Sequence, residues 1–182
     1  MYELSEQELF EAIHYARSID EESGAKIIEQ FQLEQPALAQ AIFGIFPSII
    51  AEQNQEISYL FMDLCFDVLC VFQHAFGPLP SQSNMNYDWL EKQAMLLIPE
   101  LQSMVKERQM EDKIRSKLQD QFVQRSLDET VQKGLVNFMN MAIDGFVSEN
   151  PGSAPSSKIT QTMIFIVIRL FGNLYGGTSN AV

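Results

Sequence analysis

The sequence predicts an all-α protein: a single-domain bundle of seven or eight helices around a central apolar helix, Ile57–Phe76. Three observations predict it. Apolar residues recur at helical spacing along most of the chain. Helix-opening pairs, an N-cap residue with Glu three positions later, stand at Ser5, Asp88 and Ser126. The one β-branched run, Ile164–Ile168, has no convincing second strand to pair with, so it reads as helix. The 182 residues suit one domain, 1–182, able to bury about 70% of the unfolded surface without a disulfide.

The first helix runs from the Ser5 cap to about Arg17, with Leu9, Phe10, Ile13 and Ala16 inward. Asp20 caps a second, Glu21 to Leu33, with Ile27, Ile28 and Phe31 apolar. Pro36 starts a third, carrying Leu38, Ile42, Phe43 and Phe46, which Pro47 breaks or kinks. Ser48 to Gln53 is one more turn or the lead-in to the central helix. That helix is apolar nearly all round, and Gly77 is placed to end it in a left-handed cap.

Residues 77–87 read as a surface loop between two sub-bundles. Asp88 caps a helix bent at Pro99, and Glu100 to about Arg125 continues helical through the highly charged Lys106–Lys113. Ser126 and Glu129 open an amphipathic helix ending near Ser148, with Val131, Leu135, Phe138, Ala142 and Phe146 as its core stripe. Residues 150–157 form a loop, Ser157 caps a last helix through Leu174, and the tail 176–182 frays.

The net charge is −12, from 24 acids and 12 bases, which argues against nucleic acid and anionic membranes as partners. Met163–Phe171 is too short an apolar run to span a bilayer, and the central helix carries two carboxylates near its middle. The N-terminus lacks the basic-then-apolar layout of a signal peptide. The two cysteines, Cys65 and Cys70, fall on different helix faces and do not form a disulfide; such low usage fits a reducing, cytoplasmic setting.

The polar residues of the central helix fall on one line. With Asp63 at zero, Asp67 lies near +40°, Cys70 near −20° and His74 near +20°, and Glu52 and Glu56 lie within roughly 20° of it. Two carboxylates and an imidazole offer ligands to a divalent metal, making Asp63, Asp67 and His74 the candidate metal residues. His74 is about 10 Å along the axis from Asp67, so a second helix would have to complete the site, with His14 a candidate contributor. The plainer reading is the wet edge of a buried helix. A third is neutralisation by bases from elsewhere, and six of the twelve lie between Lys106 and Arg125, ready to dock on the acidic face.

Other chemistry is thin. Glu11 and His14 make a single Glu-x-x-His, and a di-iron bundle needs two, yet Val71 stands three before His74. Cys65 reads as packing. Cys70 lies on the stripe one turn from His74, where carboxylates raise a thiol's pKa. No Gly-x-Ser-x-Gly, P-loop or dinucleotide fingerprint is present. The leading expectation is a non-catalytic, cofactor-free protein acting through a protein partner or self-association into a homo-oligomer, with a Met-rich groove as one means. The alternative is a metal-binding protein or metal-dependent enzyme using Asp63, Asp67 and His74.

Overall fold

The computed structural model describes residues 1–80 and 132–176. Among them the chain is all-α, in six continuous helical stretches: α1 Glu6–Ser18, α2 Glu21–Glu34, α3 Pro36–Ala51, α4 Gln55–Phe76, α5 Lys133–Glu149 and α6 Ser157–Gly176. The helices expected from Asp88 and from Glu100 to Arg125, the 81–87 part of the expected loop, the six clustered bases, the Ser126 capping box and the tail beyond Gly176 lie outside the described residues.

Local chemistry sets the helix ends. Ser5 accepts from the Glu8 amide while Glu8 accepts from the Ser5 amide, closing the capping box that starts α1. Asp20 caps α2 through the Ser23 amide, and Asn54 caps α4 through the Ile57 amide. Gly77, the only described residue with positive φ, ends α4 at φ 90° and ψ −168°. Its ψ is extended, not left-handed helical, a conformation open essentially to glycine.

Pro47 does not break its helix. The turn before it widens into a π-helix, Ala41–Ile45, in which the Phe46 amide donates to the Ala41 carbonyl. A proline has no amide to donate and crowds the carbonyl four residues back. The extra residue in the preceding turn lets the chain continue to Ala51. Residues 151–156 likewise form a 3-10 turn, Pro151–Ser156, that runs directly into α6 instead of an open loop.

Leu64, Phe61, Val68 and Phe72 of α4 are buried, as the sequence implies. The centre is shared, however. α6 is buried at every position from Thr162 to Ile168, so it is more enclosed than α4. Ile164–Ile168 is helix. α4 packs on α1, α3 and α6, and α6 on α5. An aromatic cluster joins α2, α4 and α6: Phe72 stacks on Phe171 at 5.4 Å and Phe31 on Phe171 at 5.7 Å. Tyr175 lies 5.5 Å from the Phe72 ring and donates to the Gly77 carbonyl at 3.0 Å, tying the end of α6 to the end of α4.

The apolar helix around Met163–Phe171 is longer than that run suggests. With its 3-10 turn it spans Pro151–Gly176, so it and α4 are both long and apolar enough to cross a membrane. Here the buried share of their most apolar windows, 72% and 50%, is turned toward the rest of the bundle.

Candidate functional site

The polar line on α4 is not one wet edge. Asp63 and His74 are exposed, but Asp67 is buried and Cys70 fully so. Arg17 of α1 reaches across, its Nε 3.4 Å from the Asp67 carboxylate. The second helix brought to the stripe therefore supplies a cation. Burial raises the pKa of the Asp67 carboxyl, Arg17 offsets part of that rise, and Asp63 adds to it. Burial alone raises that of Asp63.

His74 stacks on Tyr15 of α1, ring centroids 4.6 Å apart. His14, one residue before Tyr15, turns to another face of α1 and lies 6.3 Å from the Phe10 ring. Glu11 accepts from Gln7 at 3.0 Å. Among the described residues no group of three or more His, Cys, Asp or Glu is placed to hold a metal ion. Burial, then the Asp67 charge, pushes the Cys70 thiol up to about 12, and burial pushes Cys65 well up too. Neither is a ready nucleophile.

The surface that stands out lies between α1 and α5. A valley of about 750 Å³ is lined by Glu6, Leu9, Phe10, Ile13, His14 and Arg17 on one wall and by Gly134, Asn137, Phe138 and Met141 on the other. Phe10 is 70% exposed and Met141 73%. The arrangement follows from how each helix meets the core. α1 buries Ala12, Ile13 and Ala16, two of them small, so it lies close on α4. That rotation carries Phe10 out of the core, against the expectation that it faces inward. α5 buries Leu135, Val136, Met139 and Ile143, leaving Phe138, Ala142 and Phe146 half-buried instead of forming the core stripe.

Contacts at both ends hold the walls in place. Gln132, buried before α5, accepts from the Leu4 amide at 3.2 Å and donates to the Tyr2 carbonyl at 2.6 Å. A Cβ on Gly134 would sit 3.4 Å from the Leu9 side-chain tip, so Leu9 packs over Gly134 there. Toward the other end the Arg17 guanidinium lies 5.3 Å from the centre of the Phe138 ring, a cation–π contact made while it also pairs with Asp67. Arg17 thus spans α1, α4 and α5.

Sequence reasoning named His14 and Phe138 but gave them other roles, and it passed over Arg17 and Met141. The signal for the valley was present: Ala12 and Ala16 stand one turn apart on the face that packs. Compared with known proteins, the chain matches no family model, no curated protein and no solved structure.

Proposed function

We propose that the chain is a non-catalytic interaction module, a single helical domain that docks a protein helix in the valley between α1 and α5. The observation that carries this reading is the pair of large apolar side chains, Phe10 and Met141, standing exposed on facing walls. A contiguous exposed apolar surface rimmed by polar residues is what interaction sites present. Sites for small ligands enclose most of the ligand, whereas this valley between two helices is only about half enclosed. An amphipathic helix laid in such a groove buries its apolar stripe against both walls, and methionine adapts to the fit. Both cysteines are buried elsewhere, and the Ser18 hydroxyl at the end of the valley donates to the Tyr15 carbonyl at 2.8 Å.

The test is photocrosslinking in the producing cells, with benzoylphenylalanine placed singly at positions 10, 141 and 59. Tyr59 is exposed on α4 and takes no part in the valley. Intermolecular protein adducts are expected from 10 and 141 well above those from 59. Equal yields at all three positions, or adducts confined within one chain at 10 and 141, would contradict the reading.

A further inference from the structure

We infer that the occupant of the valley is a second copy of this chain, its α1 lying antiparallel to the first about a two-fold axis. This rests on the reading of the valley as a docking surface. The face that α1 turns to the valley carries Glu6 at one end, Leu9, Phe10, Ile13 and His14 in the middle and Arg17 at the other. The steps from Glu6 to Phe10, Ile13 and Arg17 are four, three and four residues, the spacing of a helix–helix seam. In chemical order the face reads acidic, apolar, basic, and its midpoint falls between Glu11 and Ala12.

A two-fold axis through that midpoint reverses one copy against the other. Glu6 then meets the partner's Arg17, Leu9 meets the partner's His14, and Phe10 lies over the partner's Ile13, of which only an edge reaches the valley. A two-fold interface demands a self-complementary patch, and a helix face with like charges at both ends fails that demand. Here the charges are opposite and equidistant from the centre, and Arg17, though paired with Asp67 of its own chain, keeps about half of its side chain exposed, 53%. A second α1, reversed, supplies an apolar helix face of this length with the matching order of charge. On the second wall Met141 adds apolar surface to be covered.

From Glu6 to Arg17 is about 17 Å at the usual rise, and two adjoining helices add about 10 Å of width. That footprint is a few hundred Å² per copy, below the roughly 800 Å² per partner of a stable specific interface, so the dimer is weak and transient and is read at high protein concentration. The net charge of −12 on each copy opposes association, which places the measurement at moderate salt.

Sedimentation equilibrium of the purified full chain, from micromolar to near-millimolar, reads it. A monomer–dimer equilibrium is expected. Phe10→Asp, at an exposed position, should keep the helical circular dichroism and weaken dimerisation at least about tenfold; Phe10→Ala carries the same test if that variant misfolds. In an Asp67→Asn background, which removes the carboxylate beside position 17, Glu6→Arg and Arg17→Glu alone should each weaken the dimer about two- to fivefold, and together restore it. A chain monomeric throughout, or a dimer indifferent to both the Phe10 change and the charge exchange, overturns the inference. A monomer whose position 10 still crosslinks to a different protein overturns the dimer and leaves the docking reading standing. A dimer through another face, with no intermolecular crosslink at position 10, overturns both.

Discussion

Asp67 shows how one side chain's surroundings change its chemistry. On the helical wheel it belongs with Asp63, yet one turn of helix carries it from solvent to the interior beside Arg17. Because burial raises its folded pKa above the unfolded value, the protonated form is the one that folding favours. Its stabilising contribution is complete below the unfolded carboxylate range and is lost as pH rises through the folded value. Glu8 and Asp20 behave oppositely. Cap hydrogen bonds hold their pKa values low, so their contribution is present above the unfolded value and lost as pH falls. Asp67→Asn should therefore raise thermal stability at pH 7, by about 1 kcal/mol at most because solvent still screens the pair, and less at pH 4. A large loss of melting temperature at pH 7 would mean that the Arg17 pair outweighs the burial cost. At the same scale, Cys65 and Cys70 should both resist a thiol reagent at pH 8 until the chain unfolds. Rapid native labelling of Cys70 would contradict its raised pKa and burial.

At the scale of helices, much of the architecture was legible. Ser5–Glu8, Asp20, Pro36 and Gly77 mark real boundaries because capping depends on residues within a turn of one another. Which face turns inward was harder to read. Large apolar residues suggested Phe10 and Phe138, but α1 packs on α4 through the small Ala12 and Ala16, which turns Phe10 to the flank, and on α5 Met139 and Ile143 take the core and leave Phe138 half-buried. The Arg17–Asp67 pair, fifty residues apart in the chain, had no local signature at all. The π-turn before Pro47 was hidden for a similar reason: a proline announces a lost hydrogen bond, not how the preceding turn absorbs it. The aromatic junction of α2, α4 and α6 gives the test at this scale. Phe72→Ala should cost about 3–5 kcal/mol in a denaturant titration. A cost below about 1 kcal/mol would mean that this cluster does not hold the three helices together.

For the whole molecule, the distribution of charge and apolar surface separates the two functional readings. The carboxylates of α4 are divided between solvent and Arg17, and the histidines of α1 and α4 turn to aromatic rings. Zinc, manganese, magnesium or iron(II) should therefore leave the melting temperature unchanged. A rise that Asp63→Asn or Asp67→Asn abolishes would bring the metal reading back. The valley is the larger claim, and Met141 reports on it directly. It is exposed on the wall of the valley, while Met139 and Met163 are buried and serve as internal controls. The decisive measurement is the rate of peroxide oxidation of Met141 in the full chain, read by mass spectrometry as protein concentration is raised. Fast oxidation in dilute solution, slowing as the copies associate and staying fast in Phe10→Asp, is the predicted result. A rate for Met141 as slow as Met139 at every dilution would contradict the exposed valley, and a rate fast at every concentration would contradict self-association through it.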